Sequence, residues 1–239
     1  MTVILIILGL IIAGVSLLLG RRHHPKVPKT PGPAPLPNGV HLTLVVQSTS
    51  VSPTEVATYL EAQQMQIDLD FSSAWGGSAT IDRSPGGWPV YLQDVSDVQN
   101  ALGYHDVDSK GVPFGRVFVQ TAKDANVPWQ TVASHEVLEI LGDSNANTFD
   151  LGPDGCQWVQ ETGDPVEDQS YFRVGVPLSD FVTPSWFTVG GQHPFDFLRV
   201  LKAPFTVTAG GYAQEVCNGK VKVIGGAADK SVDRDYKDY

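Results

Sequence analysis

The chain has 239 residues, 42% hydrophobic and 18% charged, with 16 basic against 26 acidic side chains and a net charge of −10. That is enough apolar sequence for one sizeable core and an appendage. The acidic balance, with no basic patch, argues against nucleic acid as a partner, because phosphate backbones are held by clustered Lys and Arg.

Residues 3–20, VILIILGLIIAGVSLLLG, carry no charge, and Ser16 is the only polar side chain among them. As a helix the segment would reach roughly 27 Å, close to the hydrocarbon thickness of a bilayer. Its Leu and Ile lie all round the helix, unlike a core helix with one apolar face. A cleaved signal peptide fits less well, since the chain starts Met-Thr and the apolar run is followed by RRHH. Residues 1–20 are therefore predicted to be a transmembrane anchor that contacts the lipid bilayer through residues 3–20. Residues 21–39 hold Arg21, Arg22, Lys26 and Lys29 and no acid, and include PKVPKTPGPAPLPNG. They predict a basic collar on anionic headgroups and a Pro-rich stalk of roughly 40 Å. The expectation is a single-pass membrane protein, with the positive-inside tendency placing the collar and the domain behind it on the cytoplasmic side.

The domain is expected over residues 40–226, followed by a polar tail, 227–239. VHLTLVVQ (40–47) reads as a strand. Ser52, Pro53 and Glu55 form a capping-box helix start. QIDLDF (66–71) alternates, which predicts a strand with Ile67, Leu69 and Phe71 on one face. SATIDR and WPVYLQD read as strands around an SPGG turn, residues 101–115 as a long loop, and RVFVQT as a strand. A helix is predicted from near Pro128 to Leu141, stopping at Gly142. YFRVGVP, DFVTPSWF, FTVTAGGY and KVKVIGG read as short strands among loops. Cys156 and Cys217 are not spaced for a thiolate zinc site; a disulfide in an oxidising compartment and two buried thiols are both open.

The helix contains ASHEVLEILGD (133–143). His135 and Glu136 begin like the zinc-protease signature H-E-x-x-H, with Glu139 in the last position. Positions four apart share a helix face, and zinc accepts carboxylate oxygen as well as imidazole nitrogen. His135 and Glu139 are thus candidate zinc ligands, and Glu136 the candidate base for water activation. The competing reading is an ordinary half-exposed helix with three polar residues in solvent. It loses ground because the helix is otherwise almost wholly small or apolar, and buried carboxylates need partners. A third ligand is expected from QETGDPVED (160–168), where spacing leaves Glu161 and Asp164 both open and Glu167 lies close by. His105, in GYHD, is a candidate for stabilising an oxyanion or binding substrate. Calcium is the alternative ion to zinc.

Several segments together resemble a family of uncharacterised bacterial and phage proteins described as metallopeptidase-like. They are DFSSAWGG (70–77), ALGYHD (101–106), GVPFGRVFV (111–119), SHEVLEILGD (134–143), GDPVED (163–168) and SDFVTPSWF (179–187). The family it resembles often carries Cys where this chain has Gly163, and Pro where it has Ser144. The resemblance implies an α+β, zincin-like mixed sheet with an active-site helix. It implies that His135, Glu136 and Glu139 act with the Asp-Pro-Val-Glu segment, and that GRVFVQT runs beside the helix and pairs with an extended peptide. The function expected is a membrane-anchored zinc peptidase; if phage-encoded, it would act from a virion membrane on an envelope or peptidoglycan peptide. The alternative is an inactive zincin-like structural or binding protein.

Overall fold

The computed structural model describes residues 33–99 and 101–225. The apolar run 3–20, the collar, most of the Pro-rich stretch and the tail lie outside these residues. Among the described residues no helix is long and apolar enough to cross a membrane.

The domain is mixed α+β. β1 (Val40–Val46) leads to α1 (Pro53–Met65), whose start is capped as the sequence predicts. The Glu55 N–H donates to Ser52 Oγ at 3.2 Å, and the Ser52 N–H donates to Glu55 Oε2 at 2.7 Å. QIDLDF is not a strand. It prolongs α1 as a π-helical turn, Gln66–Phe71, that runs into α2 (Ser72–Trp75). Ile67 and Phe71, four apart, are fully buried, while Leu69 between them is 56% exposed. Helical spacing, not alternation, decides which of them is covered.

β2 (Ala79–Asp82), β3 (Trp88–Gln93), β4 (Gly103–Val107) and β5 (Pro113–Phe118) complete a five-stranded sheet ordered β2-β1-β3-β5-β4. β1 pairs in parallel with β2 and β3, β3 in parallel with β5, and β4 lies antiparallel on the edge. Two expectations change here. The supposed loop 101–115 contains β4, whose pleat turns His105 inward and exposes Asp106. The GRVFVQT strand is not an edge: β5 is paired on both sides, and after Phe118 the chain turns into α3 (Val119–Asp124).

The inner face of the sheet presents Leu42, Leu44, Val90, Leu92 and Val117, all buried. Against it lies α4 (Trp129–Gly142), in contact with β4 and β5. Two glycines set how closely. A Cβ on Gly103 would come within 2.6 Å of Glu136 Oε1 and 2.8 Å of Val132 Cγ1, and one on Gly115 within 2.8 Å of Ile140 Cδ1. Their missing side chains let the helix lie almost on the strand backbones.

Beyond α4 come β6 (Phe149–Leu151), β7 (Gln157–Val159), a hairpin of β8 (Ser170–Arg173) and β9 (Val176–Ser179), then β10 (Tyr212–Cys217) and β11 (Lys220–Gly225). An antiparallel sheet runs β11-β10-β7-β6. A Cys156–Cys217 disulfide, Cα–Cα 5.0 Å, joins β10 to the start of β7 and decides the pairing question. DFVTPSWF is not a strand. It forms one isolated bridge, Val182 to Asp196, and packs Phe181, Trp186 and Phe187 into an aromatic cluster with Phe71, Trp75, Trp158 and Phe205. In FTVTAGGY the strand begins only at Tyr212.

Asp180 and Asp196 are fully buried beside this cluster. Asp180 accepts the N–H of Phe181 at 2.8 Å and of Leu198 at 3.2 Å; Asp196 accepts those of Val200 and Leu201, each at 2.8 Å. Burial, reinforced by the charge of Asp196, pushes the Asp180 carboxyl up to about 8, although the backbone donors oppose it.

Candidate metal centre

The centre forms where α4, the segment after β7, and β4 meet. Ser134 fixes the helix next to His135: its Oγ accepts the Ser179 N–H at 2.6 Å and donates to the Thr131 carbonyl. His135 and Glu139 share a face as their spacing requires, with Nε2 3.1 Å from Oε1. They do not point into solvent; Glu136 and Glu139 are 4% and 2% exposed.

The segment after β7 is tied to the same helix. Gln160 donates to the Gly142 carbonyl at 2.7 Å, and the Gly163 N–H donates to Glu139 Oε1 at 3.3 Å. Asp164 opens a short 3-10 turn, Asp164–Val166, and its Oδ1 lies 3.2 Å from His135 Nε2. Gly163 is needed here: a Cβ would lie 2.5 Å from His135 Nδ1 and 2.7 Å from Cε1.

β4 contributes His105, 2% exposed. Its Nδ1 is 3.2 Å from Glu139 Oε2 and 3.9 Å from Glu136 Oε2, and its Nε2 is 3.5 Å from Glu161 Oε2. The two downstream acids therefore take different partners, Asp164 facing His135 and Glu161 facing His105. Two groups of ligand-type atoms converge, His135 with Glu139 and Asp164, and His105 with Glu136 and Glu139. Glu139 belongs to both, one oxygen turned to each histidine; Glu161 and Glu167 belong to neither. A third group, Asp154, Cys156, Glu215 and Cys217, has its sulfurs committed to the disulfide.

Four carboxyls and two imidazoles packed this deeply carry excess negative charge unless a cation or protons join them. The protonation pattern reflects that. Burial works to lower the pKa of His135, but Glu139 and Asp164 outweigh it and hold the ring cationic well above the usual range. Burial works to raise Glu139, but the two histidines hold it well below the ordinary carboxylate range. Burial and then Glu139 push Asp164 up to about 7. One group was not anticipated from sequence. Burial, then the charges of Asp164 and Glu139, raise the Tyr212 phenol well above its normal value, which keeps a neutral hydroxyl on β10 in the field of these acids. An isolated tyrosine in a Gly-rich stretch carries no signal that would have singled it out.

The donor set fits a divalent transition-type ion. Each group contains an imidazole nitrogen, which suits zinc, whereas calcium asks for six to eight oxygens. Ligand atoms bound at about 2.0–2.2 Å in a tetrahedral site are about 3.3–3.5 Å apart, close to the 3.1 and 3.2 Å at which Glu139 and Asp164 flank His135. No protein-family model, curated protein or solved structure matches the chain, so these distances stand without a relative beside them.

Proposed function

We propose that the chain is a membrane-anchored, zinc-dependent peptidase with a zincin-like domain, in which His135, Glu139 and Asp164 hold the ion and Glu136 activates water. The observation that carries this reading is the convergence of His135 Nε2, Glu139 Oε1 and Asp164 Oδ1 on one point, at 3.1 and 3.2 Å from the imidazole. The zincin-like assignment is supported by parallel strands bordered by one antiparallel edge strand, with the His-Glu-x-x-Glu helix lying beneath that edge.

A bound zinc ion supplies Lewis acidity, polarising a carbonyl and acidifying water. Glu136, next to His135 on α4, accepts the proton of the attacking water and returns it to the leaving amine. His135 is the most open of the six side chains, 13% exposed, so substrate approaches from its side. The free edge of β4 offers backbone groups to an extended peptide. His105, with carboxylates facing both ring nitrogens, acts in this reading on Glu139, not on the substrate carbonyl.

The test uses the full chain purified in detergent. After dialysis against metal-free buffer, wild type and Glu136→Gln should each retain about one zinc. Hydrolysis of a peptide and muropeptide panel should fall by about 100-fold or more in the variant. Absence of retained zinc from both proteins refutes the proposal. A second reading, an inactive zincin-like structural or binding protein of a virion or membrane surface, is favoured by the depth of the centre, since structural zinc sites are closed. Zinc retained by both forms, with no hydrolysis by either, selects it.

A further inference from the structure

We propose a second, weaker divalent-cation site beside the first, formed by Nδ1 of His105, Oε2 of Glu136 and Oε2 of Glu139, whose filling inhibits the enzyme. The inference rests on the reading of His135, Glu139 and Asp164 as the first site. The two groups meet in one carboxylate. Glu139 Oε1 lies 3.1 Å from His135, and Oε2 lies 3.2 Å from His105. A carboxylate that presents its two oxygens to two separate donor sets is the arrangement that bridges paired ions about 3.5–4 Å apart.

The second group has the features of a ligand set. It combines one imidazole nitrogen with two carboxylate oxygens, the same donors as the first. Its histidine is backed from behind: Glu161 Oε2 stands 3.5 Å from Nε2, where it would accept the ring N–H once Nδ1 holds an ion. A carboxylate on the far nitrogen is the usual means of fixing a metal-binding imidazole.

The second ion should bind more weakly than the first, because it shares Glu139 and is repelled by its neighbour. It also engages the oxygen of Glu136 that faces His105. A carboxylate coordinated to a cation is a poor proton acceptor, so occupancy removes the base that hydrolysis needs. The free concentration of zinc would then act as an off-switch.

Native mass spectrometry of the detergent-solubilised full chain, titrated with Zn²⁺ alone, tests this. Wild type should keep one ion through dialysis and take up a second as free zinc rises, with activity falling over the same range. Glu136→Gln should keep the first ion and bind the second about tenfold more weakly or worse. Glu161→Gln, which leaves all three ligands in place, should weaken the second ion about 10–100-fold and relieve inhibition correspondingly. Thermal melts of each variant confirm folding. A wild-type titration that saturates at one ion, or second-ion uptake as tight in both variants as in wild type, overturns the second site and leaves the proposed function standing. Failure to retain even the first ion overturns both.

Discussion

Replacing Asp180 with Asn should stabilise the domain at pH 8 and flatten its response to pH. The carboxyl is fully buried against Asp196, and its pKa is raised from 3.8 to about 8. Between those values the unfolded chain has released the proton that the folded chain retains. Stability from this group is therefore fully present below about pH 4 and is lost as pH rises toward 8. At about 1.4 kcal/mol per pH unit the loss has a ceiling of about 6 kcal/mol. Sharing of the proton with Asp196 and local relaxation should reduce the realised value to about 2 kcal/mol. An asparagine amide donates to Asp196 as the protonated acid does, and it has no proton to lose. Urea unfolding followed by tryptophan fluorescence at pH 5, 6.5 and 8 gives the difference between the two proteins. The variant should gain relative to wild type with each step upward. Parallel pH profiles would show that Asp180 is ionised in the folded state and that the argument from burial is wrong.

Two further outcomes follow from contacts around the centre. Gly163→Ala would place a methyl 2.5 Å from His135 Nδ1 and force the ring to tilt. Zinc retention on dialysis should weaken about 10–100-fold, with about 1–3 kcal/mol lost from unfolding free energy; unchanged retention would show that the ring position does not govern the ion. The Cys156–Cys217 bond ties residues 61 apart in sequence, so Cys217→Ser should cost about 2–4 kcal/mol in urea unfolding. Two titratable thiols in unreduced, denatured wild type would show that the bond does not form.

What the sequence discloses here is what neighbouring residues can settle between themselves. Ser52, Pro53 and Glu55 complete a cap within four positions, and His135 and Glu139 share a face because of helical pitch alone. Where several long-range partners compete, sequence is silent or misleading. QIDLDF carries apolar residues at spacings of two and four, compatible with strand and helix alike. Only the exposure of Leu69 and the burial of Phe71 against Phe181 separate them. The apolar content of DFVTPSWF suggests a strand, yet it fills an aromatic cluster assembled from distant segments. His105 is 30 or more residues from every acid it faces, and the division of labour between Glu161 and Asp164 depends on how the segment after β7 docks on α4. Those are tertiary facts, and no local pattern encodes them.

The disulfide bears on membrane topology. Bonds of this kind persist outside the reducing cytosol, and this one closes a covalent ring containing Glu161 and Asp164. If residues 3–20 anchor the chain, the ring asks for the domain to be exported, the reverse of what Arg21 and Arg22 suggest. A covalent bond between the two cysteines is a firmer constraint than a charge bias, which is a tendency that other determinants override. The cysteine pair is then the stronger guide to which face of the bilayer the domain occupies, and to the host compartment in which it should be produced.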